Sequence, residues 1–274
     1  MKHSIKTTIL LILVALIGFN SFAQRPKRVV SLAPSLTKMV YEMGAQDLLV
    51  GCTNYCATDP KDSIKIVASA VEVGLERVLL TKPDLIIASS LTNPSIINSF
   101  KKLNIEVITL ATPKSFKETC DHMLLLAERM GKTEQAKLTV AKQKERLDKL
   151  QASLKSEKLS YFMEIGDKPL FTVTPNTFMH EYITMLGGTN IADGMTHGSI
   201  TRETVLVKNP DVIVVVLMGV LGEEEKKSWI KYPQLSAVKK NRLFIIDSNK
   251  ACSPTPTNFV DTMEELATLI FPNK

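Results

Sequence analysis

The sequence lacks most of what an enzyme of its size would carry. GxSxG, HExxH and GxxxxGKS/T are all absent, which removes the nucleophile elbow, the zinc-protease helix and the phosphate-cradling loop as local readings. Histidine is scarce at four. His3 lies in the leader, His122 in an expected helix and His180 at the start of another, which leaves His197 alone on a loop. The apolar run from Ile9 to about Phe19 falls short of the about 20 residues that span a bilayer. No cysteine follows that run where a lipid would be attached. Arginine is sparse around the expected ligand loops, with Arg202 the one nearby. Proline is missing from Ser115 to Lys155, and glycine occurs there once, at Gly131.

What stands at the start is a secretory pattern. Lys2 and Lys6 precede the apolar run, and the small residues Ser21 and Ala23 close it, the order of a cleavable signal peptide over residues 1–23 with cleavage before Gln24. The product expected is a soluble protein of the periplasm. Losing the leader removes two positive charges and no negative ones, so the net charge falls from +6 to +4. The remaining lysines, among them Lys137, Lys142, Lys144 and Lys149, alternate with Glu134, Glu145 and Asp148. Such mixing reads as a solvated helix face and excludes a nucleic-acid surface. Cys52, Cys56, Cys120 and Cys252 would sit in an oxidising compartment, where disulfides and free buried thiols both remain open.

Short β-branched runs alternate with amphipathic stretches, which predicts βα units and a mainly parallel sheet. Strands are expected at Arg28–Ser31, Leu49–Thr53, Asp84–Ala88 and Glu106–Leu110, then at Leu159–Glu164, Asp211–Leu217 and Leu243–Asp247. Between the two groups the proline-free stretch predicts a helix to about Met130, a break at Gly131 and one long helix from Thr133 to about Leu154. The halves also repeat. ERVLLTKPDLII from Glu76 and ETVLVKNPDVIV from Glu203 keep Glu, Val, Leu, Pro, Asp and Ile in step at an offset of 127 residues. Each copy reads as a short helix, a Pro-Asp turn and a buried strand. The fold expected is α/β, with two similar Rossmann-like lobes over 24–130 and 158–274, a rigid linking helix over 131–157 and a ligand cleft between the lobes.

RVVSLAPSLTKMVYEMGAQDLLVGCTNY, LERVLLTKPDLIIAS, LFTVTPNTF, MLGGTNIADG and ITRETVLVKNPDVIVV, in that order, resemble the periplasmic binding proteins for cobalamin, haem and ferric siderophores. The resemblance covers nearly all of the mature chain. It implies a monomeric, cofactor-free protein that binds a small metal complex, most readily a corrinoid, and passes it to the permease dimer of an ABC importer. The positions matching the family's permease-docking acids are Glu76 and Glu203. A plainer role for Glu203 is to favour the positive end of a helix capped by Thr201. The family's ligand loops correspond to those of Tyr55 and Cys56, Ser89 to Asn93, Phe171 to Asn176, Thr196 to Ser199, and Cys252 to Thr257. The ligand-binding residues so implied are Tyr55, Cys56, Asn93, Phe171, His197 and Cys252, with His197 a candidate axial ligand to the bound metal.

The chain departs from the family in several places. His197 stands where a tryptophan is usual and Ala70 near another; Asp59 replaces the tyrosine that the haem branch places before a loop proline, here Pro60; Lys38 replaces an acid. With few arginines to clamp carboxylates, a neutral or weakly charged ligand is favoured. Two rival classes are a bare metal-ion chaperone built from Cys52, Cys56, His197 and Cys252, and a hydrolase using Cys56 with His197.

Overall fold

A computed structural model of the chain describes residues 25–69, 72–154, 157–217 and 220–272. The leader, its cleavage point before Gln24, and Ala70 lie outside the described residues. The first lobe contains β1 (Val29–Ser31), α1 (Pro34–Glu42), β2 (Leu49–Thr53), β3 (Lys65–Ala68), α2 (Leu75–Leu80), β4 (Leu85–Ser89), α3 (Pro94–Lys102) and β5 (Glu106–Leu110). Next come α4 (Phe116–Met130) and α5 (Thr133–Ser153). The second lobe contains β6 (Ser160–Asp167), β7 (Leu170–Thr172), α6 (Phe178–Met185), β8 (Thr189–Asn190), α7 (Arg202–Lys208), β9 (Val212–Val215), α8 (Val220–Ile230), α9 (Ser236–Lys239), β10 (Leu243–Ile245), α10 (Ser248–Ala251) and α11 (Pro256–Ile270).

The first sheet is fully parallel in the order β3-β2-β1-β4-β5, the doubly wound order in which the chain reverses direction beside the first strand. The second runs β10-β9-β6-β7, with β8 also pairing β6. Its β7 returns antiparallel to β6. The α/β class and the two lobes match the sequence reading. Strands β3, β7 and β8 are not among those expected from the sequence.

The repeat has a structural meaning. In each lobe the short helix ends on a left-handed residue, Lys82 at φ 48 and Asn209 at φ 43, and Pro-Asp then aims the chain into the sheet. Asp84 accepts from the amides of Lys27 and Arg28 at 2.9 and 3.0 Å. Asp211 accepts from the amide and hydroxyl of Ser160 at 3.2 and 2.9 Å. Each aspartate thus pins its own strand to the start of the neighbouring one, which sets the parallel register of β4 on β1 and of β9 on β6.

The long helix is α5, whose 21 residues run about 30 Å at 1.5 Å per residue. It does not bridge the lobes alone. α5 packs between α4 and α11, burying Ala136, Val140, Gln143 and Leu147 as one stripe. Ser115 caps α4 by accepting from the Glu118 amide, and Gly131 ends it at φ 71, a left-handed position where glycine carries no Cβ penalty. One continuous core runs from Val29 and Leu85 of the first sheet through Met123, Val140 and Phe259 to Tyr161 and Val214 of the second. Separate outer cores cover the far face of each sheet.

Desolvation opposes the charge on Asp211, but hydrogen bonds from Ser160, Lys240 and Ser236 outweigh it and hold the carboxyl down at about 2. A folded value below the unfolded one, about 3.9, means that this stabilisation is complete above about pH 4 and is lost as pH falls towards 2. Asp211→Asn is expected to cost about 1–2 kcal/mol at neutral pH. Urea unfolding should show the gap to wild type closing as the pH is taken down through that window.

Candidate functional site

The carboxyl ends of the strands in both sheets open onto the space between the lobes, where three hollows lie along the walls, the first two sharing Pro34 and Tyr55 and the last two sharing Ile165. The largest, of about 890 Å³, is cut into the first lobe by Leu32, Ala33 and Pro34 after β1, Thr53 and Tyr55 after β2, and Ser89 to Ile96 after β4. The second, about 680 Å³, spans both lobes, with Pro34, Lys38, Tyr55 and Ala57 on one side and Ile165, Leu217, Asp247 and Cys252 on the other. A third of about 440 Å³ also spans them, with Thr112 to Lys114 facing Ile165 and Phe171 to Thr174. Helices α1, α3 and α11 all begin with proline at their first turn, a position that costs no hydrogen bond and fixes the sharp strand-to-helix turn.

Tyr55 lies in the wall between the first two hollows and is 60% exposed. Phe171 is 38% exposed at the edge of the third. Gly198 lies against it: a Cβ there would meet the Thr172 carbonyl at 2.6 Å and the Phe171 ring at 3.0 Å, so the backbone approaches the ring as only glycine allows. Asn93 lines the first hollow, but its side-chain carbonyl is committed to the Ser95 amide as the cap of α3. Cys252 is exposed in the second hollow. His197 is exposed and lines none of the three.

Cys56 behaves differently from its neighbours. Its sulfur meets the hydroxyls of Thr37 at 3.0 Å and Thr53 at 3.2 Å, below the cleft loop. Hydrogen bonding from the Cys52 thiol, aided by those hydroxyls and opposed by burial, lowers the Cys56 thiol to about 6, while Cys52 is raised. Among the described residues no group of three or more His, Cys, Asp or Glu side chains converges as a metal site. The four-residue ligand set of a metal-ion chaperone is therefore not assembled.

Ile165 is a wall residue that the sequence pattern missed. It follows Tyr161 to Glu164, which are all buried because both faces of β6 are covered, and nothing in the alternation marks where the strand emerges into the cleft. Lys38 was read as a departure from the family pattern. It lines the second hollow and donates to the Asn258 side chain on α11, a neutral amide that anchors the ammonium across the lobes without cancelling its charge.

Glu76 and Glu203 occupy the second position of α2 and α7. Both are exposed. The backbone amide of Glu203 itself, then the Thr201 hydroxyl, hold its carboxyl below the usual range. Thr201 accepts from the Thr204 amide as the expected cap.

Residues 29–250 match the family described as periplasmic binding protein. A relative from Bacillus subtilis (strain 168), the uncharacterized ABC transporter substrate-binding lipoprotein YvrC, is 30% identical over 91% of this chain and 82% of its own. The vitamin B12-binding protein of Yersinia pestis (strain Pestoides F) is 31% identical over 78% of this chain and 77% of its own. The crystal structure of the periplasmic vitamin B12 binding protein BtuF of Vibrio cholerae superposes with a TM-score of 0.76 at 26% identity, covering 90% of this chain and 97% of that one.

Arg202, the arginine nearest the cleft loops in sequence, turns away into the second lobe. It pairs with Glu225 and stacks over Trp229, 4.5 Å from the ring centroid. Trp229 in turn donates to the buried Glu164 carboxylate at 2.7 Å. Burial pushes the Glu164 carboxyl up to about 8; the Trp229 hydrogen bond and the Arg202 charge lower it, and the nearby Glu225 carboxylate raises it further. A carboxyl whose folded value exceeds its unfolded one, about 4.3, loses stability as pH rises between the two. Glu164→Gln keeps an acceptor for Trp229 without the charge. Thermal melts should find it close to wild type near pH 4 and more stable by about 1–3 kcal/mol near pH 8.5.

Proposed function

The chain belongs to the periplasmic binding protein family, and from that premise we infer that it captures a metal chelate between its lobes, a corrinoid such as cobalamin ahead of haem or a ferric siderophore, and delivers it to the permease dimer of an ABC importer. It is a binding protein and not an enzyme. In this reading residues 1–23 are a leader cleaved before Gln24, and the mature protein is a periplasmic monomer. Its lobes of residues 24–130 and 158–274 close only slightly about the linking segment 131–157.

The observation that carries the ligand class is a cleft wall rich in apolar and aromatic surface and without arginine, its lining cations being Lys38, Lys114 and Lys250, the last paired with Glu265. Tyr55 and Phe171 line hollows from opposite lobes and are partly exposed, and Ile165 lies beside both cross-lobe hollows. Ring faces bury much area at small entropic cost, which suits a flat macrocycle. Arg202 is taken up by Glu225, and the Lys38 ammonium is anchored by the neutral Asn258 amide. A polyanionic siderophore would find no free arginine fork among the residues lining the three hollows. Asn93, Cys252 and the neighbouring loop amides remain to meet polar groups at the ligand's rim, Cys56 braces the Tyr55 loop from below, and His197, exposed on the loop beside Gly198, is the candidate axial ligand. Glu76 and Glu203 seat the loaded protein on the permease by charge complementarity.

Calorimetric titration of the mature protein with cyanocobalamin, haemin and a ferric hydroxamate tests the ligand. One-to-one sub-micromolar binding of cyanocobalamin is expected, weakened about tenfold or more by Tyr55→Ala and by Phe171→Ala. Tight binding of haemin or the hydroxamate alone would replace the corrinoid with that ligand. For delivery, the double variant Glu76→Lys, Glu203→Lys should bind ligand as wild type does yet fail to support uptake into vesicles carrying the permease. Parallel loss of both properties would refute the division between cleft and docking face.

A further inference from the structure

The two docking glutamates are not the only residues that the repeat leaves facing solvent in step. Leu80 on α2 is 76% exposed and Val207 on α7 is 85% exposed. They are separated by 127 residues, the offset of the repeat, and each lies four residues after its glutamate. On a helix that spacing places the apolar side chain beside the carboxylate on one face, a turn further along. Their predecessors show that the fold does not need them. Leu79 packs against the outer core of the first lobe and Leu206 against that of the second, while Leu80 and Val207 belong to neither.

A single exposed leucine on a protein surface is ordinary. Two large apolar side chains at matching points of both lobes, each beside an exposed carboxylate, form a repeated composite feature. An apolar group next to an ion pair excludes water when a partner closes over it, which strengthens the charged contact and slows its release. We propose that Leu80 and Val207 are apolar anchors of the docking face, each seated in an apolar hollow of one permease subunit beside the cation that receives Glu76 or Glu203. The inference rests on the docking reading above and adds a second kind of contact to it. The partner so described has two like sites, each pairing a basic side chain with an apolar depression, spaced as the two lobes space α2 and α7.

The test uses the mature protein and the importer's permease complex in lipid nanodiscs, with association and dissociation followed directly. The double variant Leu80→Gln, Val207→Thr keeps side-chain size while removing apolar surface, and Leu80→Met, Val207→Ile serves as the conservative control. The polar pair is expected to weaken docking about tenfold through faster dissociation, with cyanocobalamin affinity and thermal unfolding unchanged. The conservative pair should dock as wild type does. Wild-type docking by the polar pair, while Glu76→Lys with Glu203→Lys is defective, would overturn the anchors and leave the docking reading standing. Wild-type docking by the lysine pair would overturn both. A fall in ligand affinity in the polar pair would also count against the proposal, because it would place these side chains in the cleft's structure and not on its outer face.

Discussion

The packing of α4, α5 and α11 against one another is the constraint on which the rest of the molecule depends. Phe116 at the start of α4 stacks on Phe259 of α11 at 4.9 Å, and Phe259 stacks on Tyr182 of α6 at 4.8 Å, so a ladder of aromatic rings joins the lobes through their shared core. Polar contacts follow the same path. Glu181 of α6 accepts from the Phe116 amide, supplying an α4 cap from the opposite lobe. Thr255 donates to Glu42 of α1 at 2.6 Å. Arg146 of α5 grips Glu264 through two nitrogens and reaches Asp261 as well. Such partly exposed pairs add little energy singly, but the bidentate geometry fixes the angle at which α5 meets α11.

A joint of this kind resists hinge motion, because opening the lobes widely would pull aromatic side chains out of a continuous core, at a cost of several kcal/mol. Two consequences follow for the proposed function. The cleft is largely preformed, so its shape and chemistry select the ligand more than closure does. The distance between α2 and α7 is nearly constant, so a docking face carried on both lobes can match a partner of fixed spacing whether or not ligand is bound.

The electrostatics of the second lobe serve the same end. Beneath the sheet Arg202 pairs with Glu225 and stacks over Trp229, and Trp229 donates to Glu164. The cleft above is thereby left without the arginine that a carboxylate-bearing ligand would seek. On the first lobe Lys38 is held in place by the neutral Asn258 side chain and keeps its charge in the second hollow. What pairing removes from the cleft is thus its nearest arginine, while Lys38 and Lys114 still line the hollows.

The sequence by itself determined the α/β class, the long helix from Thr133 with its break at Gly131, and the repeat around Pro83–Asp84 and Pro210–Asp211. These depend on local chemistry: periodicity, a left-handed glycine and a proline turn are written within a few neighbouring residues. The positions of Tyr55 and Phe171 near the cleft were also legible through the family resemblance, because loops after strands in this topology must face the same way. The tertiary structure alone decided which side chains are available there. Arg202 could be read as a free cation until Glu225 was brought against it, and nothing in the sequence signals that Asn258, 220 residues on, anchors Lys38. Ile165 lies just past the end of the expected strand, and only the structure places it in the cleft wall; the Cys56 sulfur proved to lie against Thr37 and Thr53. The lobes read as joined by one helix, whereas α4 and α11 share the load, because partners that meet across more than a hundred residues leave no periodic mark on the chain.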